Sequence, residues 1–295
     1  MVINLVTKYP VFVFCGRDYE KRKLILELDP DNKYNTKALL PFLGKRVMDW
    51  QLEELRKSPY VEDLYLLGIT KEMAKFDYPV HYVDVPTAST YAEKLLAGIE
   101  YLRSIGKDNT FIVVSSSDTP GITVEGINKF FEAIEDLQHI DYIQSVVPDD
   151  VTKEVFPDHQ RVVAKFSDAH VYPGELFAMS EYGIVQKNNI ISEIGGRRRK
   201  IKKNKRTKKM SAVTPIIKLV LKRPGTWFLI LKFMMGKLSL AGAEKLISRI
   251  AKGTVRTVII SDAAFGMDMD LPEDYEKLKR YVSKTKNVPY LPGVK

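Results

Sequence analysis

The stretch VVSSSDTPG, residues 113–121, decides how this chain is read. It begins as a β-branched apolar run and ends on an acid fenced by proline and glycine. With the residues before it, TFIVVSS (110–116) has the composition of a strand buried on both faces. Asp and Pro are ordinary turn residues, so Asp118 fits a turn. In an open α/β sheet, ligands sit at the carboxyl ends of the strands, so Asp118 equally fits a site. The neighbouring segments decide between the two.

Upstream, TYAEKLLAGIEYLRSIG (90–106) places Leu95, Leu96, Ile99 and Leu102 on one helical face, with Gly106 set to end the helix. Downstream, ITVEGINKFFEAIEDL (122–137) predicts a helix with Thr123 as N-cap, and DYIQSVVP (141–148) predicts a strand. Nearer the N-terminus, VFVFCG (11–16), DLYLLG (63–68) and HYVDV (81–85) read as strands, and VMDWQLEELRKS (47–58) as a helix. Strands alternating with helices imply an α/β fold with a mostly parallel sheet and helices on both faces. From about residue 150 the rhythm changes. RVVAKFSDAHVYPGELFAMS (161–180) reads as two short strands around a turn, and 211–253 as helices broken at Pro224 and near Gly236. VRTVIIS (255–261) restores a strand, and LPEDYEKLKRYVSK (271–284) closes with a helix. The expected organisation is a single domain over 1–295: a core of 1–189 and 254–295, with a basic and helical insertion at 190–253.

The chain has 295 residues, a net charge of +9 and one cysteine, Cys15. A disulfide framework within one chain is excluded. MVINLVTKYP shows no basic region leading into a long apolar stretch, so no signal peptide and a cytoplasmic protein are expected. His81, His139, His159 and His170 are widely spaced, which does not suit a His/Cys zinc site. The charge is local. RRRKIKKNKRTKK (197–209) holds ten Lys or Arg and no acid, and +9 minus ten leaves −1 for the rest.

Three blocks carry the candidate chemistry: the first strand ending at Gly16 and leading to Lys37 in KALLPFLGKR, Asp118 in SSSDTPG, and FGMDMDLPEDYEKL (265–278). In this order the blocks resemble the MobA-like nucleotidyltransferases, the NTP transferases of the GT-A-type, Rossmann-like fold. The resemblance runs across most of the chain outside the insertion. It implies a Mg²⁺-dependent enzyme joining an NTP to a phosphorylated acceptor with release of pyrophosphate. It also implies that Lys37, Asp118 and Arg17 are catalytic. Cys15, Gly16, Arg17, Lys37, Ser89, Thr90 and Asp118 are implied at the nucleotide. Asp118 with Asp270, or its neighbour Asp268, is implied at the metal, and His170, Gly174 and Glu175 at the acceptor. The first loop, FCGRDYEKRK, has one glycine where the family usually has several, so Arg17, Lys21, Arg22 and Lys23 would supply charge in place of backbone donors.

Each assignment has a plainer alternative. Asp268 and Asp270 precede a proline that opens a helix and fit its N-terminal dipole. Lys37 fits a solvated loop, Arg17–Lys23 a charged loop, Ser89 and Thr90 a helix cap, and Cys15 the core. At the level of function, Asp268-Met269-Asp270 is also the Asp-x-Asp of a GT-A glycosyltransferase. Its position near the C-terminus, with a lone Asp118 after the central strand, favours nucleotidyl transfer. A non-catalytic binding protein is the third reading. The basic run has no aromatic residue for base stacking, so nucleic acid would gain sequence-blind, salt-dependent binding at most. The apolar segment after it, 211–237, is interrupted by Lys218, Lys222, Arg223 and Lys232 and is too short a run to span a bilayer. It is expected to pack on the core or on a second subunit of a homo-oligomer, or to lie with 197–209 against an anionic membrane, where the acceptor would be a lipid-linked phosphate.

Overall fold

The computed structural model describes residues 6–17, 23–159, 161–186 and 227–290. The basic run 197–209, with Lys21 and Arg22, lies outside the described residues.

Strand β1 (Tyr9–Phe14) runs through the middle of the sheet. Its side chains alternate: Tyr9, Val11 and Val13 join one core cluster and Phe12 the opposite one. The strands β2 (Pro41–Phe42) and β3 (Lys45–Arg46) form a small separate hairpin. Its two turn residues, Leu43 and Gly44, both have positive φ, as a two-residue hairpin turn requires. On one side β1 pairs in parallel with β4 (Val61–Leu67), which pairs with β5 (His81–Val83). On its other side lies β6 (Phe111–Ser116), also parallel. Beyond β6 the path runs through β9 (His170–Ser180), β7 (Tyr142–Pro148) and β10 (Val255–Ile259), with β8 (Ala164–Lys165) paired to β9. Strand β9 is antiparallel to β6 and β7; the other main pairs are parallel.

Helices cover both faces. The cluster on one face takes Leu52 and Leu55 from α2 (Val47–Lys57) and Ile127, Phe130 and Phe131 from α4 (Val124–Ile134). The opposite cluster takes Leu95, Ile99 and Leu102 from α3 (Tyr91–Ser104). A third cluster joins α1 (Lys23–Leu28), the hairpin and α8 (Pro272–Thr285). The remaining helices are α5 (Asp149–Val155), α6 (Trp227–Met234) and α7 (Leu240–Ala251). The last two are the described part of the 190–253 segment. Within α3, Gly98 lets the helix meet the ring of Phe12; a Cβ there would lie 2.3 Å from the ring edge. Gly98→Ala is therefore expected to lower stability by about 1–3 kcal/mol, measured by urea unfolding, although alanine is the better helix former.

The 161–180 region holds two strands around a turn, as expected, but only β8 is short. Pro173 and Gly174 are residue types that favour turns, yet β9 runs through them and is eleven residues long. The β7–β9 register shifts between Gln144 and Val146, opposite this pair. A bulge is where a central strand tolerates proline. Gly174 is needed because a Cβ there would lie 2.2 Å from Ser145 Oγ.

Candidate active site

The strand order turns at β1 and β6, and the loops leaving their carboxyl ends build the site. Lys37 opens a short 3₁₀ turn, Lys37–Leu39. Buried Thr36 fixes that turn. Its Oγ1 donates to the carbonyl of Cys15 at 2.8 Å and accepts from Ala38 N at 3.1 Å. Lys37 is thereby held at the end of β1. Its Nζ donates to Asp118 Oδ2, to the Met269 carbonyl at 2.7 Å and to Asp270 Oδ1 at 2.9 Å. Three acceptors meet the three donors of an ammonium group.

Asp118 sits two residues past β6 on a loop pinned from both sides. Gln51, buried in α2, donates through Nε2 to Ser115 Oγ and the Ser116 carbonyl. Its Oε1 accepts from Thr119 N at 3.3 Å and Thr119 Oγ1 at 2.8 Å. Ser117 Oγ donates to the Phe14 carbonyl at 2.7 Å, which ties the same loop to β1. Gln51 lies on a helix that reads as amphipathic from sequence, and nothing there marks its amide as buried. Gln51→Ala would strand Ser115 and Thr119, and is expected to cost about 1–3 kcal/mol in urea unfolding.

Alternation places the third segment. Met267 and Met269 are fully buried, and Asp268 and Asp270 between and after them turn out. Met269 N donates to the Asp118 carbonyl at 3.1 Å, locking the two loops together. Asp270 thus meets Lys37, while Asp268 meets Arg161 in a close ion pair. Arg161 Nη2 also lies 3.6 Å from Glu175 Oε1 on β9. Asp118, Glu175 and Asp268 bring one carboxylate oxygen each within 4.8 Å of one another. Four carboxylates and two cations, Lys37 and Arg161, leave a net charge of −2 with all groups ionised. An oxygen-only acidic cluster with that excess suits one hard divalent cation.

Burial pushes the Glu175 carboxyl above its ordinary value; Arg161 opposes this and the neighbouring Asp118 adds to it. The folded chain therefore keeps this proton at a pH where the unfolded chain has lost it. The associated stability is full below the unfolded value, about 4.3, and is lost as pH rises through the higher folded value. Metal-free protein is expected to lose melting temperature across that interval. Glu175→Gln should flatten the profile; an unchanged slope in that variant would assign the loss elsewhere.

The other expected residues fall into distinct settings. Cys15 is buried, its thiol is pushed up to about 12 by burial, and its Sγ–H donates to the Val13 carbonyl at 3.5 Å. Cys15 N donates to the Leu67 carbonyl at 2.9 Å. Gly16 allows a close approach, since a Cβ there would lie 2.5 Å from the Thr87 carbonyl. Arg17 is exposed and donates to Asn35 Oδ1 at 2.9 Å. Lys23 turns to Glu273 at 3.4 Å. Thr90 caps α3 in a reciprocal pair with Glu93, and Ser89 N donates to the Pro86 carbonyl at 2.9 Å. Gly174 is buried against Ser145. His170 is exposed at the start of β9, about 17 Å along the strand from Glu175 at the usual rise per residue. Arg161 was not among the expected site residues.

No family model and no curated relative matches the chain. Solved structures do match along nearly its whole length. A hypothetical transferase from Thermus thermophilus superposes with a TM-score of 0.63 at 19% identity, covering 91% of this chain and 100% of its own. A CMP:2-keto-3-deoxy-manno-octonic acid synthetase complexed with CTP superposes with a TM-score of 0.53 at 10% identity, covering 95% and 99%. The chain shares the Rossmann-like α/β fold of these proteins, with its mostly parallel sheet and flanking helices.

Proposed function

We propose that the protein transfers a nucleoside monophosphate from an NTP to a phosphorylated acceptor and releases pyrophosphate. The observation that carries this reading is the meeting of Lys37, Asp118 and Asp270 with the Asp118–Glu175–Asp268 triad at the carboxyl ends of the central strands. The fold shared with a synthetase complexed with CTP supports the choice of substrate class.

In this reaction an acceptor phosphate oxygen bonds to the α-phosphorus while the bond to the bridging oxygen of the β-phosphate breaks. The nucleophile is already an anion, so the site needs no general base. The barrier lies in bringing anions together and in charge growing on pyrophosphate, which positioned cations lower. Mg²⁺ held by Asp118, Glu175 and Asp268 would supply charge neutralisation at the phosphates. Lys37 presents its ammonium from a rigid turn toward the same point, and Asp270 with the Met269 carbonyl holds it there. Arg17 and the backbone around Gly16 lie at the end of β1, where the β- and γ-phosphates would enter. The start of α3 at Ser89 and Thr90 takes the base or ribose side. Arg161, between Asp268 and Glu175, offers a planar two-pronged donor to an acceptor phosphate. The acceptor is a small phosphorylated molecule or a lipid-linked phosphate.

The test is a panel of NTPs and phosphorylated acceptors with Mg²⁺, followed by pyrophosphate release. Release of a nucleoside diphosphate from a nucleotide sugar, with no pyrophosphate from any NTP, would instead make Asp268-Met269-Asp270 the motif of a glycosyltransferase. Replacing Arg161 by Lys keeps the charge but loses the fork, and is expected to raise the acceptor KM by about tenfold with little change in nucleotide affinity.

A further inference from the structure

Helix α6 is apolar on two sides, and among the described residues only one of them is packed against a partner. Leu229 and Phe233 pack against Leu238, Ala243, Leu246 and Ile250 of the α7 region, together with Phe166. On the other side Trp227 is 55% exposed, Phe228 65%, Leu231 54% and Met235 50%. Trp227, Leu231 and Met235 are spaced by four residues and form one stripe. The Met235 N–H donates to the Leu231 carbonyl at 3.0 Å, so the helical course reaches the end of that stripe. Lys232 Nζ lies 4.8 Å from the Phe228 ring centre.

The surroundings are cationic. From 227 to 252 the chain carries Lys232, Lys237, Lys245, Arg249 and Lys252 against one acid, Glu244, a net of +4. Glu244 is turned inward, accepting from Thr257 N at 2.7 Å and Thr257 Oγ1 at 2.6 Å. The sequence adds ten further Lys or Arg at 197–209, which rejoin α6 after 17 residues. The element is tied to the site-bearing strand. Ser167 N donates to the Leu238 carbonyl at 2.9 Å, and Leu240 N to Asp168 at 2.8 Å, both from the turn that leads into β9.

We infer that the exposed face of α6 docks on an anionic lipid surface. Such a surface takes up both features at once: an apolar stripe of aromatic and aliphatic side chains enters the acyl boundary while lysines stay at the headgroups. A second copy of the chain would set like charge against like. Nucleic acid offers nothing to bury Leu231 and Met235. Among the described residues no helix is long and apolar enough to cross a membrane, so α6 lies in the interface plane. This docking surface stands independently of the transfer chemistry.

The chain has two tryptophans, and Trp50 is buried, which makes Trp227 the reporter. Full-length protein is mixed with phosphatidylcholine vesicles with and without phosphatidylglycerol. Emission should shift to the blue and the protein should co-sediment with the anionic vesicles only, binding at least about tenfold more weakly in high salt. Trp227→Phe should keep sedimentation and lose the spectral shift. Phe228→Ser with Leu231→Ser should bind at least about tenfold more weakly, with an unchanged melting temperature and an unchanged Mg²⁺–NTP thermal shift. Three results would overturn the proposal. One is indifference of the wild type to anionic vesicles. Another is a Trp227 emission already blue without lipid, which would mean that the chain covers its own stripe. The third is a shift that follows protein concentration together with dimer formation.

Discussion

Asp118→Asn is expected to cut Mg²⁺-dependent pyrophosphate release by about 10³-fold or more, with the melting temperature nearly unchanged. The magnitude follows from several kcal/mol of transition-state stabilisation being lost when a metal-binding carboxylate becomes an amide. The unchanged fold follows from the geometry. The Asp118 loop is held by Gln51, Ser117 and the Met269 backbone, none of which uses the carboxylate. Lys37 keeps Asp270 and the Met269 carbonyl as partners in the variant. Steady-state kinetics with a melting curve at each pH checks both halves. Retained turnover would return Asp118 to the role of a turn former.

Lys37→Ala is expected to lower kcat by about 10²–10³-fold with a much smaller change in nucleotide affinity, because its charge matters most as pyrophosphate departs. It carries a second signature that a merely structural lysine would lack. Removing it leaves Asp118, Glu175, Asp268 and Asp270 facing Arg161 alone, a net of −3 in place of −2. The metal-free variant should lose about 3 kcal/mol, the low end for breaking a largely buried pair. Mg²⁺ should then restore more stability to the variant than it adds to the wild type. A variant that loses stability equally with and without Mg²⁺, at normal turnover, would make Lys37 structural.

The parts of this molecule that follow a single local rule were legible in its sequence. The apolar run of β1, the run of β6 and the Thr123 cap of α4 appear where the residues predict them. The alternation MDMD also carries its own geometry, since two buried methionines force both aspartates outward. The length of strand β9 was not legible, because Pro173 and Gly174 obey turn rules locally and are accommodated by a bulge in β9 itself, where Pro173 to Phe177 faces only Val146 to Gln144. Gln51 and Arg161 escaped for a related reason. Each acts on a partner far along the chain, Gln51 on a loop 64 to 68 residues away and Arg161 on Asp268, and neither has a local pattern that announces it. The segregation of Asp268 to Arg161 and Asp270 to Lys37 is likewise decided by which elements pack above each carboxylate.

The most direct test of the central claim needs no acceptor. Melting curves are recorded for the wild type and for Asp118→Asn with each NTP, with and without Mg²⁺. A ligand at about 100 times its Kd stabilises the native state by about 2.7 kcal/mol. For a chain of this size that is a rise of about 4 °C. That rise is expected for at least one NTP, only with Mg²⁺, in the wild type and not in the variant. No rise with any NTP, or an equal rise in Asp118→Asn, would contradict that claim.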